Sequence, residues 1–307
     1  MKKGVSVILT AWNTQDYIEE CLDSVYKQSF FKKNDNYEVL LGIDGCEKTL
    51  NKVKGIISKY PGLKVFYFKE NVGTYIASNT LVTLAQYSYI FRFDTDDIMS
   101  PNAVKDLYSY AEKNSLDMLL GHCKTFYSNT GKIDKHTVLA HGQIFIKTET
   151  FLKFGGFRPF KCASDTELHL RLKRFIKEEC TTLDTGIRRL HTTNLTGNSE
   201  TGMKSKYRKN IHAFINYEQD VKLKSKSNAV IKCVIAPCQI LNENGELSKM
   251  ENNFVPAEIA DTFNEFMNLP DNTRRQYYKK NNTGMPIMMT STGYIRKKAQ
   301  TGWIGYM

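Results

Sequence analysis

The first hundred residues alternate short unbroken apolar runs with amphipathic stretches, and few folds accept that pattern. The runs are VSVILT (Val5 to Thr10), EVLLGI (Glu38 to Ile43), LKVFYF (Leu63 to Phe68) and YIFRF (Tyr89 to Phe93). A strand with one wet face would alternate apolar and polar residues; a continuous run needs cover on both faces. Between the runs lie helical spacings. NTQDYIEECLDSVYKQ opens on the cap-type residues Asn13 and Thr14 and sets Ile18, Leu22 and Val25 on one side. A second stretch runs from about Leu50 to Tyr60 and stops at Pro61-Gly62, and a third spans Val72 to Tyr87. The alternation predicts an α/β fold: a Rossmann-like, mostly parallel sheet flanked by helices.

Ligands of such sheets sit beyond the carboxyl ends of the strands. Asp44 and Asp94 both fall there, which makes them candidates to face one crevice. Asp94, Asp96 and Asp97 also crowd into FRFDTDDIMSP. Like charges this close repel. A bound divalent cation explains the crowding, since Mg²⁺ and Mn²⁺ take carboxylate oxygens together with substrate phosphates. The plain alternative is a solvated turn with capping acids before Pro101.

After Pro101 the pattern predicts a helix over 102–114, strands at DMLLGHC and GQIFIK, a Gly155-Gly156 loop, and a helix in SDTELHLRLKRF from near Ser164. NAVIKCVIAPCQIL reads as a strand or strand pair, and AEIADTFNEFMNLP as an amphipathic helix ending at Pro270. A boundary near residue 225 divides the expectation into a first domain, 1–225, and a smaller basic C-terminal accessory region, 226–307, a candidate for acceptor binding. Net charge is +11, and from Thr201 onward sixteen basic residues face nine acidic ones. That excess predicts an anionic partner: polymer, nucleic acid, or peripheral contact with an anionic membrane. The tail motifs TRRQYYKK and GYIRKKAQTGW interleave bases with aromatics, which suits phosphate contact and base stacking.

No apolar run approaches the ~20 residues of a membrane-spanning helix. MKKGVSVILTAW has the outline of a signal peptide, but its apolar run is too short and lacks a small-residue cleavage site, so it reads as a first strand. The seven cysteines are odd in number and form no CxxC pair. Neither a disulfide framework nor metal-site spacing is expected, and a reducing, cytoplasmic setting follows.

Six segments in order carry a family resemblance, which covers roughly Val5 to Gly197. They are VSVILTAWNTQDYIEECLDSVYKQ, GIDGCEKT, NVGTYIASN, DTDD, GGF followed by SDTELHLRL, and RRLHTTNLTG. Together they resemble the family 2 glycosyltransferases of the GT-A fold: inverting, dependent on a nucleotide sugar and commonly on Mn²⁺ or Mg²⁺. The resemblance implies roles residue by residue. Asp44 would contact the donor base, commonly uracil, and Asp94 the donor ribose or sugar. Asp96 would hold the metal, and Asp165 would be the general base. Arg189 and His191 would contact the diphosphate or the metal, and Thr10, Ala11 and Asn13 would line the nucleotide pocket. Asp97 is the member of the cluster expected to cap the next helix instead.

Each role has a plainer rival. Asp165 would also serve as an N-terminal helix cap, His191 as an ordinary histidine, and Gly155-Gly156 as a turn. Three positions depart from the family pattern: Ile43 where a first acid is common, Ser78 where an arginine is frequent, and Ser164 where a glutamate usually precedes the base. The function expected is metal-dependent transfer of a sugar from a nucleotide sugar, UDP foremost, to an acceptor hydroxyl on a glycan. Two other readings stand beside it: glycosylation of a hydroxymethylated base in duplex DNA, and a nucleotide- or nucleic-acid-binding module without turnover.

Overall fold

A computed structural model of the chain describes residues 1–32, 36–192, 194–250, 262–279, 288–289 and 295–296. The first half follows the sequence pattern: β1 (Lys2–Ala11), α1 (Ile18–Tyr26), β2 (Tyr37–Asp44), α2 (Glu47–Ile56), β3 (Leu63–Phe68), α3 (Thr74–Thr83) and β4 (Tyr87–Asp94). Then come β5 (Ile98–Met99), α4 (Ala103–Asn114), β6 (Met118–Tyr127), β7 (Lys132–Ile133), β8 (Val138–Leu139), β9 (Phe145–Lys147), α5 (Thr148–Lys153), α6 (Ser164–Leu172) and β10 (Glu178–Leu190). The remainder gives α7 (Lys206–Tyr217), β11 (Gln239–Leu241), β12 (Leu247–Lys249), α8 (Thr262–Met267) and α9 (Asp271–Lys279).

One large sheet runs in the order β12-β11-β3-β2-β1-β4-β9-β6-β10-β5, with β7 and β8 paired to β6. β3, β2, β1 and β4 are mutually parallel, as are β6 and β10. The chain moves outward from β1 to β3, then returns to the other side of β1 as β4. That reversal opens a crevice between the carboxyl ends of β1 and β4, where Thr10 pairs in register with Asp94.

The unbroken apolar runs feed two cores at once. Val5, Val7 and Leu9 of β1 join Ile18 and Leu22 of α1, Leu50 and Val53 of α2, and Val104 and Leu107 of α4. Ile8, Leu40 and Ile90 face the other way, against Leu81 of α3, Phe151 of α5, and Leu168 and Leu172 of α6. Beyond α6, Leu170 packs on Ile211 and Ile215 of α7, and Phe214 packs on Phe266 and Tyr277.

Three expectations change. The helix foreseen over 72–87 is only Thr74–Thr83, because the amides of Val72 and Gly73 are bound by the Asp44 carboxylate before the helix begins. The strand foreseen in NAVIKCVIAPCQIL is confined to Gln239–Leu241, which pairs with β3 and, with β12, extends the same sheet. Residues upstream find side-chain partners instead of a ladder: Asn79 donates to Val234 O at 3.0 Å, and Thr80 Oγ1 accepts from Ala236 N–H at 2.9 Å. Gly155-Gly156 is more than a turn. Both lie at positive φ, and side chains there would collide with Ile231 O and, at 2.5 Å, Asn79 Oδ1. The basic, aromatic tail from Lys280 lies outside the described residues except for four positions. Among the described residues no helix is long and apolar enough to cross a membrane.

Asn79 fastens α3 to two segments, since it also bonds Phe157 N–H and O at 2.9 Å each. Asn79→Ala is expected to lower the urea unfolding free energy by at least about 1–3 kcal/mol, the penalty for stranding a buried polar group. An unchanged midpoint would show that water satisfies this seam.

Candidate functional site

The site is assembled at the β1–β4 crevice from four directions. β1 delivers Thr10 and Ala11, and Thr95 Oγ1 donates to Thr10 O at 2.9 Å, stitching the two strand ends together. Ala11 is fully buried, Trp12 is 53% exposed, and Asn13 turns the chain at φ 56°. β4 delivers the acids. The β8–β9 connection brings His141 and Gly142, and α6 brings Asp165 in its first turn. The end of β10 brings Arg189, with His191 just past it.

Each of the three crowded carboxylates has partners of its own. Asp94 Oδ1 pairs with Arg92 Nη2 at 2.6 Å. Asp96 Oδ2 lies 2.9 Å from His191 Nε2. Asp97 is buried, accepting the Arg189 N–H at 2.8 Å and the Gln143 side-chain amide at 2.9 Å. Asp97 therefore does not cap the next helix, whose cap position is Asn102; it ties the end of β10 to the β4 turn. Burial, then Asp96 and Asp94, push Asp97 well above the usual carboxylate range. Burial pushes Asp94 up to about 6, with Arg92 pulling it down and Asp96 and Asp165 adding to the rise.

Asp165 belongs to the same small space as Asp94. A Cβ built on Gly142 would stand 3.1 Å from Asp94 Oδ2, 3.3 Å from Arg92 Nη1 and 3.6 Å from Asp165 Oδ2. The glycine leaves open a cradle edged by two carboxylates and a guanidinium. Asp165 Oδ1 also accepts the adjacent Thr166 N–H at 2.7 Å, so a local helix-start bond coexists with the crevice position. His141 lies beside it. Burial lowers His141 to about 4, against the pull of Asp165, and its Nδ1 has no hydrogen-bond partner among the described residues.

Two of the expected donor contacts, Asp44 and Arg189, and two of the positions that depart from the family pattern, Ser78 and Ser164, have partners within the protein. Both oxygens of Asp44 are bonded, to Val72 N–H at 2.7 Å and Gly73 N–H at 3.0 Å, and the residue is 2% exposed. Arg189 pairs with Glu20 at 2.7 Å and lies over the Tyr17 ring at 4.7 Å, with His191 on the same ring at 5.1 Å. Ser78 is buried and donates to Thr74 O within α3. Ser164 is buried and donates to Arg158 O. The guanidinium absent from α3 has a counterpart on the next strand: Arg92 donates to Thr74 Oγ1 at 2.9 Å and to Gly142 O at 2.6 Å. Arg92, His141, Gly142, Tyr17 and Trp12 escaped the sequence reading. Only Trp12 carried a signal, as a large aromatic beside a turn at a strand end.

The donor chemistry at Asp96 and His191 suits a divalent cation. Two neighbouring ligands with bonds of about 2.0–2.1 Å to an octahedral ion stand about 2.9 Å apart. A carboxylate with an imidazole is a set that Mn²⁺ accepts, and only 18% and 12% of the two side chains is exposed. A separate surface hollow lies at the opposite, amino ends of the strands among Tyr26, Tyr37 and Lys64.

The Glycosyl transferase family 2 model matches residues 6–168, from the first strand into α6. This chain belongs to that family. Among its relatives is the poly(ribitol-phosphate) beta-N-acetylglucosaminyltransferase TarP of Staphylococcus aureus, 27% identical over 57% of this chain and 54% of that protein. Another is a poly(ribitol-phosphate) beta-glucosyltransferase of Bacillus spizizenii, 29% identical over 39% of this chain and 19% of its own length. The chain spans about half or less of the curated relatives it matches. In fold it is similar to S. aureus TarS, with a TM-score of 0.56 at 20% identity over 74% of this chain and 40% of that one. The TarS fragment 1–349 solved with UDP-GlcNAc gives 0.55 at 18% identity over 75% and 69%.

Asp44 gives the site a pH signature. Burial pushes it up to about 6, against the two amide hydrogen bonds. The folded state thus holds this proton more tightly than the unfolded chain, where the group titrates near about 3.9. Its contribution is greatest below about pH 4 and is lost as pH rises through 6. Asp44→Asn is expected to remove that part of the dependence, read as the difference in urea unfolding free energy between the two proteins from pH 4 to 7. A pH-independent difference would overturn the assignment.

Proposed function

We propose that this family member transfers a sugar from a UDP-sugar to a hydroxyl of an anionic, phosphate-bearing glycan, with a divalent metal and with inversion at the anomeric carbon. The observation that carries this reading is the convergence of Asp94, Arg92 and Asp165 on the space above Gly142, next to the Asp96–His191 pair.

Asp165 takes the proton of the acceptor hydroxyl as its oxygen attacks the anomeric carbon, and the diphosphate departs with the bonding pair. Attack from the face opposite the leaving group inverts that centre. Asp96 and His191 would hold Mn²⁺ or Mg²⁺, which supplies positive charge against the leaving diphosphate. Arg92 holds Asp94 toward the donor's sugar end and keeps its like charge tolerable beside Asp96 and Asp165. Arg189 lends positive charge near the same end from its place on Tyr17. Thr10, Ala11 and Asn13 form the pocket floor, and Asp44 shapes its wall by holding the start of α3. Trp12 offers an exposed ring for stacking on the base, an interaction of about 1–3 kcal/mol.

The acceptor class rests on charge and kinship. The basic stretch from Met203 to Lys232 includes α7, whose His212 lies near enough to His141 to lower its pKa. Two relatives are named for poly(ribitol-phosphate), whose phosphate groups are negatively charged. Both facts favour an anionic polymer over a neutral sugar chain.

The test is release of UDP from UDP-GlcNAc and UDP-glucose with Mn²⁺, Mg²⁺ or chelator, offering poly(ribitol phosphate), neutral oligosaccharides and hydroxymethylated duplex DNA as acceptors. Metal-dependent release stimulated by the polyol phosphate is expected; release unaffected by chelator, or stimulated only by DNA, would overturn the reading. Asp165→Asn is expected to lower kcat by roughly 10²–10⁴ with little change in donor KM. Trp12→Ala should do the reverse, raising donor KM roughly tenfold.

A further inference from the structure

A second cluster of metal-binding side chains lies at the other end of β10 and plays no part in the reaction above. His169 Nε2 stands 3.3 Å from Glu178 Oε2, Cys180 Sγ stands 3.8 Å from the same oxygen, and the three donor atoms all fall within 4.8 Å of one another. We propose that His169, Glu178 and Cys180 bind Zn²⁺ in a site that clamps α6 to β10, with water as the fourth ligand.

The fold brings these residues together by strand parity. Glu178 and Cys180 are two apart on β10, so they share a face. Their register partners are Met118 and Leu120, which belong to the core covered by Leu168 and Leu172 of α6. The intervening Glu179 pairs with Leu119 and points the other way, to the hydroxyl of Tyr110 on α4. His169 follows Leu168 on α6 and is 2% exposed, while Cys180 is exposed at the strand's outer side. A buried imidazole thus meets a carboxylate and a reachable thiol at the margin of the sheet.

The spacing favours an ion over a hydrogen bond. At 3.3 Å the histidine–glutamate contact is long for a charge-assisted bond. A tetrahedral zinc ion with Zn–N and Zn–O near 2.0–2.1 Å and Zn–S near 2.3 Å spaces its nitrogen and oxygen ligands about 3.3 Å apart, and its oxygen and sulfur ligands about 3.5 Å apart. The nitrogen–oxygen separation lies on its edge and the oxygen–sulfur separation just beyond it, and the sulfur, on an exposed side chain within 4.8 Å of the nitrogen, has room to close. The mixed nitrogen, oxygen and sulfur set suits Zn²⁺ and disfavours Mg²⁺. Lys173, one turn past His169, also feels the charge of Glu178 and Cys180. Its ammonium balances that carboxylate, but cannot bond nitrogen or sulfur as zinc does. Binding would release the Cys180 proton to solvent.

The site has a structural consequence. Asp165 precedes His169 by four residues, one turn of the same helix, and β10 ends at Leu190, beside His191. A bond between α6 and β10 would fix the helix carrying Asp165 to the strand leading to His191. The inference stands apart from the proposed reaction: Glu178 and Cys180 lie at the far end of β10, and His169 meets the crevice only by packing edge-on against His141 at 5.3 Å. Sequence spacing could not announce it, with one ligand on a helix and two on a strand.

The test uses the full chain, stripped with chelator and titrated with Co²⁺ and then Zn²⁺. One equivalent of Co²⁺ should produce an intense near-ultraviolet thiolate band and the visible bands of a four-coordinate ion, and Zn²⁺ should abolish both and raise the thermal midpoint. Cys180→Ser, at an exposed position, should remove the thiolate band. It should weaken Zn²⁺ binding by more than the roughly 10–100-fold that losing an outer partner costs. Glu178→Gln should weaken it while keeping the band. Absence of a thiolate band, or an unchanged band in Cys180→Ser, would overturn the proposal. Cobalt bound by Asp96 and His191 gives no thiolate band, so the two sites are read separately.

Discussion

Everything at the working end of this molecule depends on accommodating three carboxylates within four residues at a strand end. Two unit charges about 4 Å apart repel by about 4 kcal/mol where the effective dielectric constant is about 20, so each acid needs its own answer. The structure gives three. Arg92 pairs Asp94, His191 meets Asp96, and Asp97 turns inward to the Arg189 amide and Gln143. Because these partners, Arg92, His191, Arg189 and Gln143, are spread over β4, the end of β10 and the β8–β9 connection, the electrostatic solution also joins those three parts of the fold. Crowding that would destabilise an isolated turn becomes the reason the crevice has a defined shape.

The helix bearing Asp165 is held with comparable redundancy. Glu167 receives Arg158 at 3.0 Å and Arg171 at 2.7 Å, and Arg158 also reaches Glu218 at 2.8 Å. Arg171 spends its remaining donors on the carbonyls of Phe154, Gly156 and Ala229. A buried charge network of this kind adds little net stability over an apolar core. Breaking it by removing one partner typically costs about 3–5 kcal/mol. Its effect is to allow one placement of α6 against the Gly155-Gly156 loop and the segment after α7. Asp165 inherits that placement although Ser164, rather than an acid, precedes it.

Much of this was legible beforehand, for identifiable reasons. The four early strands were readable because residues buried on both faces must be apolar at every position, and the acidic turn was readable because such crowding is rare without a purpose. The length of α3 was misjudged because the competitor for its first amides, Asp44, lies some thirty residues upstream. The path of 230–238 was misjudged because apolar composition reports burial, not ladder pairing; its polar backbone is met by Asn79 and Thr80 across the core. Arg92 was hidden inside an apolar run whose two faces look alike in sequence, and Gly142 and His141 had no spacing to mark them.

By itself, the sequence determined the alternation of strand and helix, the parallel character of the first four strands, the family, and which acids end up at a strand's carboxyl edge. Those properties are local or periodic: they follow from which residues must be buried and how often. Only the tertiary structure decided which cation answers each acid, that Asp44 is spent on the chain while Asp94 and Asp165 share the Gly142 cradle, and that His169 meets Glu178 and Cys180. These are contacts between residues far apart in the chain. Their geometry is set by strand register and helix packing, and no local pattern encodes it.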